Sequence, residues 1–174
     1  MNYNSSNIKE LLDLGGGTGD LANLVGTYKK EAARFPAWEP KHPVIILADN
    51  DQAGRNVLNG GKKKKQIKNA PALETNKDFF HICNNLYVVL TPLFDNKKET
   101  CIEDLYPQEW LNFKLDNKKL TVENGPVGDE FYGKMIFARK VITENFSKID
   151  FSKFTPLLER LVKVIEHFQN SNAR

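Results

Sequence analysis

The hydrophobic positions fall into three short clusters and two longer periodic ones. Val44-Ile45-Ile46-Leu47-Ala48 is an unbroken apolar run. Such a run predicts a strand buried on both faces, as in a parallel sheet. Leu86-Tyr87-Val88-Val89-Leu90 repeats the pattern, closing a strand predicted from Phe79 onward. Residues 7–14 are weakly apolar and end in Leu11-Leu12-Asp13-Leu14, which predicts a short strand. After it, Leu21, Leu24, Val25 and Tyr28 share one face of a helix predicted over 21–35. Asp20 is placed to cap that helix, and Pro36, Pro40 and Pro43 break it. Near the C-terminus Leu157, Leu158, Leu161, Ile165 and Phe168 share a helical face, with Thr155 as cap and Pro156 in the first turn. Residues 54–58 can open a further helix, stopped by Gly60-Gly61; 131–142 predicts another, and 114–124 a small hairpin through Asp116-Asn117.

The order strand, loop, helix, strand is that of a parallel α/β sheet. With 174 residues the chain is expected to form a single domain, 1–174, with 143–174 as a C-terminal helical extension. A formal net charge of +3 is too small an excess to imply nucleic-acid binding by itself. No apolar run approaches the roughly 18 residues of a membrane span. The polar start Met1-Asn2-Tyr3-Asn4-Ser5-Ser6-Asn7 lacks the apolar core of a signal peptide. No membrane partner and a cytoplasmic location are therefore expected. Cys83 and Cys101 lack metal-ligand spacing and read as buried thiols. His42, His81 and His167 are scattered and form no recognisable triad or zinc pattern.

Chemistry concentrates just past the first apolar run, in Asp49-Asn50-Asp51-Gln52-Ala53-Gly54. Ligands of open α/β sheets bind beyond the carboxyl ends of the strands. Two acids there, at i and i+2, suit Mg²⁺, which takes oxygen ligands, keeps several waters and needs only one or two carboxylates. The competing reading is turn chemistry, for which Asp-Asn-Asp is also good material. Glu103 and Asp104 form a second acidic pair, able to supply a further ligand or to favour a helix N-terminus. Lys134 follows Tyr132-Gly133 and suits a developing phosphoryl charge, or is an ordinary surface lysine. Lys62, Lys63, Lys64 and Lys65, with Lys68 close by, form a basic loop that suits phosphate-backbone contact or simple solvation. The string Leu12-Asp13-Leu14-Gly15-Gly16-Gly17-Thr18-Gly19-Asp20-Leu21 places glycines before a helix N-terminus, where backbone N–H groups can approach an anion. Taken alone, it resembles the first motif of class I S-adenosylmethionine-dependent methyltransferases. Asp49 lies farther on than the acid such a site would use.

The Asp49-Asn50-Asp51 pattern resembles the Asp-x-Asp motif of the Toprim fold, found in bacterial primases, type II topoisomerases and overcoming-lysogenization-defect nucleases. Five strings narrow the likeness: Gly-Gly-Thr-Gly-Asp-Leu, His-Pro-Val-Ile-Ile-Leu-x-Asp-Asn-Asp, Cys-Ile-Glu-Asp-Leu, Tyr-Gly-Lys-x-x-Phe-Ala and Ile-Asp-Phe-Ser-x-Phe-x-Pro-Leu-Leu-Glu-Arg. In order, they resemble the C-terminal Toprim region fused to some retron reverse transcriptases (RNA-directed DNA polymerases). The resemblance implies an α/β, Toprim-like (Rossmann-like) parallel sheet of about four strands flanked by helices, with a C-terminal helix. It implies Mg²⁺-dependent phosphodiester cleavage, with Asp49 and Asp51 holding the metal, Glu103 as a further acidic ligand and Lys134 within a family motif. It implies a nucleic-acid substrate, DNA or RNA such as transfer RNA, a reverse-transcriptase chain or domain as partner, and antiphage defence as the setting.

The family also uses a glutamate ending the first strand, within a pattern like Cys-Glu-Gly-x-Thr-Asp. Here 11–14 follows Met1 closely, and Glu10 precedes an apolar run rather than ending one. The expectation is therefore a Toprim-like domain truncated at its N-terminus, with weak metal binding and turnover low or absent unless another chain supplies the missing group. Two other classes fit the same residues. One is a methyltransferase holding its cofactor on 15–19. The other is a catalytically dead module that binds nucleic acid or assists assembly.

Overall fold

The structure is a computed structural model that describes residues 17–34, 39–58, 60, 76–122 and 128–172. The strand expected at 11–14, Gly15, Gly16 and the basic loop Lys62, Lys63, Lys64, Lys65 and Lys68 lie outside the described residues. The described chain is mixed α/β. Its elements in order are α1 (Thr18–Ala32), β1 (Val44–Ala48), α2 (Gln52–Leu58), β2 (Phe80–Cys83), β3 (Leu86–Leu90), α3 (Gln108–Leu111), β4 (Lys119–Thr121), β5 (Phe131–Gly133), α4 (Lys134–Ile136), α5 (Thr143–Asn145) and α6 (Thr155–Asn172). Two compact units emerge, one of Met1–Cys101 with Leu157–Arg174 and one of Ile102–Pro156. No helix among the described residues is long and apolar enough to cross a membrane.

In the first unit the sheet order is β1-β3-β2. β1 and β3 run parallel, from Val44 opposite Leu86 to Ala48 opposite Leu90. β2 runs antiparallel to β3. The expected sheet of about four parallel strands is therefore corrected, among the described residues, to a mixed sheet of three. The single strand expected from Phe79 to Leu90 is a hairpin instead. Asn84 turns the chain at φ 48°, a left-handed conformation that asparagine tolerates better than most residues. β3 is central and buried at every position. β1 is not buried on both faces as its composition suggests. Ile46 and Ala48 face the core, while Val44 and Leu47 remain exposed; among the described residues β1 stands at one end of the sheet order.

The core of this unit gathers Val25 of α1, Ile46 and Ala48 of β1, Val57 and Leu58 of α2, and Leu86, Val88 and Leu90 of β3. α1 begins at Thr18, with Gly17 at its cap and no side-chain cap bond, so Asp20 sits in the first turn rather than capping it. α6 buries Leu157, Arg160, Val164 and Phe168, whereas Leu158 and Ile165 of the expected face are exposed. Thr155 is already helical, because a 3-10 turn, Ser152–Phe154, leads into α6. Arg160 donates to the Leu90 carbonyl at 2.8 Å, to Asn76 Oδ1 at 2.6 Å and to the Asn76 carbonyl at 3.3 Å. Burial pushes its guanidinium down from the ordinary value, and Asp78 opposes the shift.

The second unit packs Trp110, Tyr132, Phe137, Val141 and Ile149 together. The expected turn at Asp116-Asn117 is present. Both residues have positive φ, 49° and 63°, and they close an antiparallel bridge between Leu115 and Lys118. The hairpin goes no further, since β4 pairs instead with β5, in parallel. The helix expected over 131–142 starts late, because Phe131–Gly133 is strand. It then runs from α4 through a π-helical stretch, Phe137–Ile142, into α5. The Thr143 hydroxyl donates to the Ala138 carbonyl at 2.8 Å, matching the five-residue reach of a π turn.

One contact ties this fold to its chemistry. A Cβ built on Gly54 would stand 1.8 Å from the Asp49 carbonyl oxygen. That neighbour is backbone and cannot swing aside. Gly54→Ala is therefore expected to cost about 3 kcal/mol or more of stability, measured by urea unfolding.

Candidate metal centre

β1 ends at Ala48, and the next three residues split between two environments. Asn50 is completely buried, while Asp49 and Asp51 on either side of it are half-buried. Alternation at a strand end points the middle residue inward and sends its neighbours the other way. Asn50 is held from several directions. Its Nδ2 donates to the Thr91 carbonyl at 3.1 Å, and its Oδ1 accepts from Arg55 Nε at 2.9 Å. Its backbone N–H reaches Thr91 Oγ1 and the Thr100 carbonyl, each at 2.8 Å. Thr91 Oγ1 in turn donates to the Thr100 carbonyl at 2.8 Å. Arg55 also donates to the carbonyls of Asn50 and Lys98, and pairs with Glu99 at 3.7 Å. Buried polar groups satisfied this fully make a stiff support, because moving any one strands the rest without water.

Asp51 has a structural duty as well. Its Oδ1 accepts the Gly54 N–H at 2.6 Å, and its carbonyl accepts the Arg55 N–H at 2.9 Å. It is thus the N-cap of α2, as the turn-chemistry reading expects. The cap bond uses one carboxylate oxygen, and a carboxylate has acceptor capacity beyond one bond. The two readings of Asp51 are therefore compatible. Gly54 follows at the third position of α2, where its missing side chain lets the helix close over Asp49.

Two carboxylates, half-exposed at the carboxyl end of a parallel strand, fit Mg²⁺ in donor chemistry and number. Among the described residues, no group of three or more His, Cys, Asp or Glu side chains is placed to hold a metal ion.

Glu103 and Lys134, the other expected site residues, meet in the second unit. Lys134 Nζ donates to Glu103 Oε2 at 3.2 Å. Glu103 is buried on the 3-10 turn Ile102–Leu105, and Lys134 opens α4. Burial, then the Glu103 carboxylate, pushes the Tyr106 hydroxyl above its ordinary pKa. Asp104 stands beside Glu103 on the same turn and is half-buried. Cys83 and Cys101 are half-buried, and neither is in a disulfide. Burial pushes the Cys83 thiol up, which suits the unreactive role expected of it. Among the described residues, no atom lies within 4 Å of a Cβ built on Gly17 or Gly19.

Arg55, Thr91 and Thr100 were not singled out by the sequence pattern. Arg55 follows Gly54 directly, and its role depends on Lys98 and Glu99, far along the chain. The double duty of Asp51 separates in two substitutions. Asp51→Ala should cost about 1 kcal/mol of stability, while Asp51→Asn keeps a cap acceptor and stays within a few tenths. Parallel urea melts check both values. No family model matches the chain, and no solved structure matches it.

Proposed function

We propose that this chain is a Toprim-like, Mg²⁺-dependent phosphodiester-cleaving domain acting on nucleic acid. The observation that carries the reading is the pair Asp49 and Asp51 at the end of β1, braced from beneath by the buried Asn50. The ordered likeness of the sequence to the Toprim regions of retron reverse-transcriptase fusions supports the same reading. So does Gly54, whose contact with the Asp49 carbonyl gives the Asp-x-Asp-x-x-Gly spacing a steric cause.

Asp49 and Asp51 are the residues that would hold Mg²⁺. A bound ion there supplies a polarised water and neutralises charge on the phosphate. The chain's own residues orient and hold. Asn50 and Arg55 fix the turn on which both acids ride. Asp51 keeps one oxygen on the Gly54 N–H, which sets the direction of its carboxylate. Glu103 holds the Lys134 ammonium in a defined place, and a lysine so placed suits a phosphoryl oxygen that gains negative charge. The lysines at 62–65 are proposed as phosphate-backbone contacts, whose contribution falls with added salt. A reverse transcriptase, as a separate chain or a fused domain, is the proposed partner, and antiphage defence the proposed setting.

The test is cleavage of labelled single-stranded DNA, duplex DNA and transfer RNA with and without Mg²⁺. Wild type should cleave at least one substrate slowly, only with Mg²⁺, and faster when the proposed partner chain is added. Asp49→Asn should lower that rate by about 10²-fold or more while retaining the wild-type melting temperature. Cleavage untouched by Asp49→Asn would reject the assignment. Binding of nucleic acid with no cleavage by wild type would mark a binding module instead.

A further inference from the structure

A cluster remote in sequence from the acids brings two of the scattered histidines together. The β2–β3 pairing sets His81 directly opposite Tyr87. Their rings stack with centroids 4.7 Å apart and planes 27° apart. From α6, His167 Nδ1 lies 3.0 Å from the Tyr87 hydroxyl. The two imidazole centroids are then 5.4 Å apart, with planes tilted by 51°. Phe79 closes the side, 5.8 Å from the Tyr87 ring and 5.2 Å from that of His167. His81 is exposed, His167 half-buried and Tyr87 buried.

One nitrogen of each ring is anchored by a hydrogen bond to oxygen. His81 Nε2 lies 2.8 Å from the Asn84 carbonyl. A carbonyl only accepts, so Nε2 carries the proton and the lone pair is on Nδ1. The bond between His167 Nδ1 and the Tyr87 hydroxyl runs in either direction, and with a ligand on Nε2 the Nδ1–H donates to the hydroxyl oxygen. Each ring thus has one nitrogen anchored to oxygen and one available for a ligand. This is the arrangement found around metal-binding histidines, whose second N–H is usually held by a carbonyl or another oxygen. Spacing agrees. Two imidazoles bound through nitrogen at about 2.0–2.1 Å to one tetrahedral ion place their centroids roughly 5 Å apart. The nearby ammonium of Lys163, one turn earlier on α6, is paired with Asp78 at 2.7 Å, which offsets its charge.

We propose that His81 and His167 form a two-histidine site for a borderline divalent transition-metal ion of the Zn²⁺ type, with Tyr87 as the positioning residue. Imidazole selects such ions over Mg²⁺, so this site is chemically separate from Asp49 and Asp51. Water completes the coordination shell. A bound ion ties strand β2 to helix α6, and metal binding therefore stabilises the first unit.

The test uses the full chain stripped by chelator and titrated with Zn²⁺ alone, followed by calorimetry and thermal melting. Wild type should bind Zn²⁺ and melt at a higher temperature with it. His81→Ala and His167→Ala should each weaken binding by tenfold or more and abolish the shift. The double variant Asp49→Asn/Asp51→Asn should bind Zn²⁺ like wild type, and excess Mg²⁺ should not displace the ion. Should His167→Ala fail to fold, the exposed His81→Ala decides alone, with Co²⁺ absorption as a second readout of tetrahedral coordination. Equal Zn²⁺ affinity in wild type and His81→Ala, or no Zn²⁺-dependent shift in wild type, overturns the proposal.

Discussion

The rest of the first unit depends on one buried polar residue. Asn50 has no exposed surface, yet its amide and its backbone carry donors and acceptors that water would otherwise satisfy. Leaving one such group unpaired costs about 1–3 kcal/mol, which on the scale of a whole domain's stability is large. Thr91, Thr100 and Arg55 meet that requirement. In doing so they hold the end of β1 against the continuation of β3, where the Thr91 N–H donates to the Ala48 carbonyl at 3.0 Å. The turn that carries Asp49 and Asp51 is thus set by the interior of the protein. Under the proposed metal reading, acids on a turn so fixed would not have to be ordered on binding an ion, a preorganisation that favours affinity.

A second buried polar residue works at the neighbouring strand end. Arg160 is almost wholly enclosed and gives its donors to the last carbonyl of β3 and to Asn76. A guanidinium is costly to bury, and a site that meets its donors with carbonyls reduces that cost. The carboxyl edge of the parallel pair β1 and β3 is therefore pinned from two directions, by Asn50 at β1 and by Arg160 at β3. Flexibility at that edge would be tolerable in a purely structural sheet. Its suppression suits an edge that presents chemistry.

Much of this was legible from residue order. The apolar run 44–48 is a strand because nothing in it competes for backbone bonds, and the acids lie at its carboxyl end as read. Asp116-Asn117 announced a tight turn because both residue types accept positive φ. Other features needed contacts distant in sequence. β2 and β3 look like one long strand, since only Asn84-Asn85 interrupts them, and their reversal makes the sheet mixed. The buried face of α6 departs from the apolar pattern because Arg160 belongs to it while Leu158 does not; a charged residue facing inward is visible only through its partners at 76 and 90. The strand Phe131–Gly133 was hidden by periodicity that suits the helix after it. Of the candidate site, the acids and Gly54 were apparent, and so were Glu103 and Lys134 as separate residues. Their pairing was not, nor was the Thr91–Thr100 bond, because spacing carries no record of either.

The most direct test of the account is Mn²⁺ binding, read by electron paramagnetic resonance as loss of the free-ion signal. Mn²⁺ stands in for Mg²⁺ and reports occupancy whether or not turnover occurs. The account predicts a Mg²⁺-competable Mn²⁺ site in wild type that is lost in Asp49→Asn/Asp51→Asn, with the fold intact by circular dichroism. Equal Mn²⁺ binding by both proteins, or none by wild type, would contradict it.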